Sequence, residues 1–118
     1  FRALPKTRAF DTPRGKLLLC HGMGEDDMHG LLDDSSAYDI DNHDALQALL
    51  RAREHAFVAC GHTHRRMVRA VGSLTIMNAG ALPEEDGPTA MLIDFERGEV
   101  ELHDVTASDV RLAERRTL

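Results

Sequence analysis

The chain has 118 residues, the size of one domain, and is 42% hydrophobic, enough to bury a core. Its net charge of −6, from 20 acidic and 14 basic side chains, argues against a nonspecific nucleic-acid surface, which needs a basic stripe. No apolar run approaches the roughly 20 residues of a membrane span and no leader segment is visible, so a cytoplasmic location without membrane contact is expected.

Residues 1–15 hold two prolines and four basic side chains without periodicity, and read as a loop entering the fold. Residues 16–20 form a short apolar strand that ends in Cys20-His21-Gly22. Residues 22–41 read as a long loop, and a loop of that length in a compact domain is usually functional or mobile. Its carboxylates Glu25, Asp26 and Asp27 could reach toward a metal but are expected to be solvated. The stretch 39–44 lacks the Gly and final Glu of a calcium loop. Asp41 or Asn42 can cap a helix running to about residue 55, with Ala45, Leu46, Leu49 and Leu50 as its apolar stripe. Arg51, Arg53 and Glu54 then face water. Residues 56–60 are the next strand. The strand–helix–strand order predicts a parallel pair with a right-handed crossover. Both strands would then deliver their terminal histidines to one C-terminal edge, where open α/β sheets bind ligands.

Beyond residue 65 the pattern changes to hairpins. Residues 66–71 and 74–78 flank Gly72-Ser73, which suits a tight II′ turn. Residues 89–95 and 99–105 flank a turn containing Gly98, and residues 83–88 form an acidic loop. Residues 105–118 read as a polar tail with at most a helical turn or two. Cys20 and Cys60 lack the spacing of a zinc motif and read as buried small residues at strand ends in a reducing compartment, although they could in principle ligate metal. His29, His55 and His103 read as bystanders, His103 on an exposed strand face.

The chemistry concentrates in Cys60-Gly61-His62-Thr63-His64, read together with His21-Gly22 at the end of the earlier strand. On extended backbone, His62 and His64 point to the same side. Neutral imidazole is a common ligand for zinc, manganese, iron and nickel. Gly61-His62-Thr63-His64 resembles the Gly-His-x-His motif of the calcineurin-like metallophosphoesterases, and His21-Gly22 resembles the His-Gly motif that precedes it there. Met77-Asn78-Ala79-Gly80-Ala81 is similar to the Asn-Pro-Gly-Ser segment that often follows. The resemblance covers roughly residues 16–104.

This resemblance implies part of an α/β sandwich of αββα type, with a strand–helix–strand unit followed by antiparallel hairpins. It also implies a hydrolase of phosphoesters, with phosphodiesters the expected substrates. Two divalent metal ions, among manganese, iron, zinc and nickel, would hold the phosphoryl oxygens and activate water. By motif position His21 and His62 would hold one metal and His64 the other. Arg65 or Arg66 could touch the phosphate, but both read as solvent-facing. The family's earlier motifs, Asp-x-His, Gly-Asp and Gly-Asn-His, do not occur here. Residues 1–118 are therefore expected to be the C-terminal portion of one metallophosphoesterase domain. The N-terminal half is a required partner, and homo-oligomers are possible. A non-catalytic scaffold or binding module is the alternative. Other hydrolase signatures fail: there is no Gly-x-Ser-x-Gly elbow, no His-x-His-x-Asp-His and no His-Glu-x-x-His.

Overall fold

Apolar residues on both faces of residues 17–20 and 57–60 demand cover on both sides, and two layers supply it. The structure, a computed structural model, describes residues 4–82 and 87–118. The acidic loop expected at 83–88 lies mostly outside the described residues, as does the start of the entry segment. Strands β1 (Thr7–Thr12), β2 (Gly15–Cys20), β3 (Phe57–Cys60), β4 (Met67–Val71) and β5 (Leu74–Asn78) form a mixed sheet in the order β1-β2-β3-β5-β4. Strands β6 (Thr89–Asp94), β7 (Glu99–Val105) and β8 (Val110–Thr117) form a second, antiparallel sheet. Helices α1 (Ala37–Asp41) and α2 (Asp44–Ala52) lie between β2 and β3 in the chain.

The expected parallel pair is present, with Leu17, Leu18 and Leu19 opposite Phe57, Val58 and Ala59. Strand β5 extends it, placing Phe57 opposite Thr75 and Cys60 opposite Asn78. Alternation then sorts the side chains. Leu18, Cys20, Val58 and Ile76 pack with Leu46 and Met23 in one core, flanked by Ile40, Ala45, Leu49 and Leu50 of the helices. Leu17, Phe57 and Met77 face the other way and pack with Val100 and Leu102 of the second sheet. The mixed α/β sandwich with antiparallel hairpins is therefore as expected.

The Gly72-Ser73 turn joins β4 to β5 with Val71 opposite Leu74. Gly72 has φ +57° and Ser73 is not among the residues of positive φ, which fits a II′ turn. Both expected hairpins are therefore observed. Three elements depart from expectation. The entry segment contains β1, an edge strand antiparallel to β2. The long loop contains α1, whose Ser36 and Asp39 form a reciprocal capping box. The polar tail is β8, paired along β7. The start of α2 is also shifted: its N-cap is His43, whose Nδ1 accepts the Leu46 N–H at 3.3 Å. Asn42 instead closes α1.

Candidate metal centre

Strands β2 and β3 end level with each other, and the chain beyond each turns into the same corner. The Gly61 N–H donates to the His21 carbonyl at 2.8 Å, tying the two exits together. His21 Nε2 lies 3.3 Å from His62 Nδ1, and the two rings meet edge to face with centroids 5.2 Å apart. Two nitrogens bound at 2.0–2.1 Å to one tetrahedral zinc sit about 3.3–3.4 Å apart. The pair therefore fits two corners of a single metal ion. The same approach suits an N–H···N hydrogen bond, so proton and metal compete for this position.

The backbone at His62 is not extended. His62 has φ 65° and His64 has φ 59°, and the Thr63 N–H donates to the Gly61 carbonyl at 2.8 Å across His62. This is a γ-turn of the positive-φ kind, which is rare and strained for a residue with a Cβ. The argument that alternation puts His62 and His64 on one side of a strand therefore does not apply, because β3 has already ended at Cys60. His64 is exposed at the far end of the same turn. Among the described residues no group of three or more His, Cys, Asp and Glu side chains is gathered to hold a metal ion.

What holds the turn is Asn78, a residue to which the sequence reading gave no role. It is 1% exposed, at the end of β5. Its Nδ2 donates to the Gly61 carbonyl at 2.7 Å and to Thr63 Oγ1 at 3.0 Å. Its Oδ1 accepts the Gly80 N–H at 2.9 Å. One buried amide thus fixes both sides of His62. The signal in the sequence was a lone amide closing the apolar run Ile76-Met77, just before Gly80.

The other candidates separate clearly. Cys20 is buried and Cys60 half-buried, and neither forms a disulfide. Burial raises the Cys20 thiol, and burial with the neighbouring Cys20 pushes Cys60 up to about 12. These thiols are core residues. Arg66 pairs with Asp104 at 2.8 Å, whereas Arg65 lines a cavity of about 780 Å³ that also includes His62 and Thr63. His103 lies on the outward face of β7, opposite Leu112, but its side chain is only 20% exposed and its Nε2 lies 3.1 Å from Glu101. His55 lies beyond the end of α2 and lines a different cavity, with Lys16 and Ser73. Asp26 is not simply solvated. It bridges to Met23 through two backbone hydrogen bonds, and its carboxylate pairs with His29.

Residues 1–98 match the calcineurin-like phosphoesterase superfamily domain. The chain belongs to that superfamily. Among solved structures, a single mutant of Vps29 from Entamoeba histolytica is similar with a TM-score of 0.66 and 19% identity, covering 100% of this chain and 63% of that one. Wild-type Vps29 from the same organism, complexed with Zn²⁺, gives 0.61 and 19% identity, over 99% and 63% of the two chains. A Streptococcus pneumoniae protein described as a predicted phosphoesterase gives 0.53 and 16% identity, over 96% and 64%. At these identities the likeness shows the fold. The chain spans under two thirds of the length of these neighbours. No curated protein matches it by sequence. Among the described residues no helix is long and apolar enough to cross a membrane.

Proposed function

We propose that residues 1–118 form the C-terminal portion of a metallophosphoesterase domain that hydrolyses phosphodiesters at a dinuclear metal centre. In this reading His21 and His62 hold one metal and His64 contributes to the other, with the remaining ligands on a preceding segment. The observation that carries it is the 3.3 Å approach of His21 Nε2 to His62 Nδ1 at the shared end of two parallel strands. Zinc suits these nitrogen donors, and a Vps29 neighbour is described as zinc-complexed. Manganese, iron and nickel remain candidates to be compared. When bound, the metals would neutralise phosphoryl charge and acidify a water. The chain's own part is to orient: Asn78 and the γ-turn fix His62, and the Gly61 bond to the His21 carbonyl fixes the second imidazole against it.

The test uses the complete protein. His62→Ala and His21→Ala should each lower bound metal and remove most turnover of bis(4-nitrophenyl) phosphate, while His55→Ala changes neither. Equal loss at His55 would sink this ligand assignment. A non-catalytic binding module has one observation in its favour, the lack of a three-ligand group among the described residues. Stoichiometric metal without turnover by the complete protein would decide for it.

A further inference from the structure

Helix α2 begins on a histidine although stronger capping residues stand just before it. Asp and Asn are among the best N-caps, and Asp41 and Asn42 precede His43. Neither caps α2, because α1 ends there. Asp41 is the last residue of α1, and Asn42 donates to the Tyr38 carbonyl from its backbone N–H at 3.0 Å and from Nδ2 at 2.8 Å. Gln47 ties the corner shut, its Nε2 donating to the Ile40 carbonyl at 2.9 Å. The cap therefore falls to the His43 ring, whose Nδ1 accepts the Leu46 N–H at 3.3 Å. Leu46 is 0% exposed, so water cannot take over as acceptor.

An imidazole accepts at Nδ1 only while it is neutral, and its proton then sits on Nε2. His43 Nε2 is closed to solvent and has no hydrogen-bond partner among the described residues. A second proton has to enter at Nδ1. There it would meet the Leu46 N–H donor to donor, and it would place a cation at the positive end of α2. The Leu46 N–H would be left buried without an acceptor. The other charged and titratable groups around the ring are Asp39 and Asp41 of α1, Asp44 of α2, Asp26 and His29 of the preceding loop, and His62 and Arg65 beyond β3. Arg65 opposes a cation here. The carboxylates of α1 and α2 favour one, but all three are exposed, so water and salt screen them. Asp39 already accepts the Ser36 N–H at 2.9 Å, and Asp26 is paired with His29 at 2.9 Å. Exposed carboxylates stabilise a cation at the surface, where the ring is already out of the cap.

We infer that His43 is a pH-sensitive latch on the α1–α2 corner: the neutral ring caps α2, and protonation at Nδ1 releases it. The released corner takes up a proton that the capped corner excludes, so release gains as pH falls. Imidazole changes charge between about pH 5 and 8, which is where the latch works. Tyr38, Asp39, Asn42 and Asp44 of this corner line the cavity of about 780 Å³ together with His62 and Thr63, so acid loosens one wall of that cavity. The latch needs neither bound metal nor turnover.

The experiment measures amide hydrogen exchange of the complete protein by NMR at about pH 7.5 and 5.5, on either side of the ordinary imidazole range, with intrinsic exchange rates divided out. The Leu46 amide should lose about tenfold in protection at the lower pH, the limit that an imidazole ionising near 6.5 sets. Val58, buried in β3, should keep its protection. His43→Asn supplies an acceptor that does not titrate and should protect Leu46 equally at both values. His43→Ala should leave it poorly protected at both. In the unmodified protein the ring ¹⁵N shifts at the higher pH should place the His43 proton on Nε2. Constant Leu46 protection, an equal loss in His43→Asn, an equal loss at Val58, or a proton on Nδ1 at the higher pH overturns the latch.

Discussion

His62 sits at φ 65°, a region that is strained for a residue with a Cβ by about 1–2 kcal/mol. The turn persists because Asn78 and the Gly61 bond over-determine it. Two substitutions separate side chain from backbone. His62→Gly and His62→Ala both lack the imidazole, so both should lose metal. The glycine variant should nonetheless be the more stable by about 1 kcal/mol, because only it relaxes the turn. Equal urea midpoints would show that the turn stores no strain. Asn78→Ala should destabilise by about 1–3 kcal/mol, since it leaves the half-buried Gly61 carbonyl and Gly80 N–H without their partner. It should also lower metal content while every histidine is retained. The histidines at the ends of β2 and β3 were legible as candidates because strand-end imidazole is chemically distinctive. The conformation that aims them was not, because left-handed backbone at a histidine leaves no mark in composition.

Strands β2 and β3 run level, so Cys20 and Cys60 are neighbours one step beyond the Leu19–Ala59 pair. With its thiol near 12, Cys60 stays protonated in the folded chain while the unfolded chain ionises near 9.0. Between those values the folded state binds more protons, so stability must fall as pH rises. Below pH 9 the contribution is fully present. Stability should drop on the order of 1 kcal/mol between pH 9 and 10.5, and Cys60→Ala should flatten that loss. Parallel urea titrations of the two proteins across this range would check it, and identical slopes would refute it. At this scale burial decides which elements are legible in the sequence. β2, β3, β4 and β5 carry apolar runs because they pack on core residues, and Gly72 marks their hairpin. β1 and β8 are edge strands with almost wholly exposed side chains, so Thr7–Thr12 and Val110–Thr117 show no apolar alternation to read. Five-residue α1 buries nothing and so has no stripe; its only signal is Ser36 with Asp39 three residues on.

The whole molecule divides its core between two layers, and this bounds what 118 residues can do alone. Both described helices cover one face of the five-stranded sheet. The solvent side of the second sheet still presents Leu92 at 60%, Val110 at 59% and Leu112 at 46% exposure, beside unpaired edges at β6 and β8. Such surfaces favour association, so residues 1–118 expressed alone should sediment as more than a monomer, and less so with Leu92→Glu. Charge sets a harder limit on chemistry. The convergent pair of His21 and His62 supplies two neutral nitrogens, whereas hard ions such as manganese favour carboxylate oxygen. Asp26, half-buried in the loop, is already engaged by two backbone N–H groups and His29. Nothing in this set can bridge two cations or neutralise their charge. Residues 1–118 alone should therefore bind zinc weakly and turn over neither phosphodiesters nor phosphomonoesters with manganese, zinc or nickel. Calorimetric titration with zinc and a 4-nitrophenolate release assay check both halves of this expectation. Metal-stimulated turnover that vanishes in His62→Ala would show that these residues assemble a working site by themselves, with Asp26 recruited away from His29.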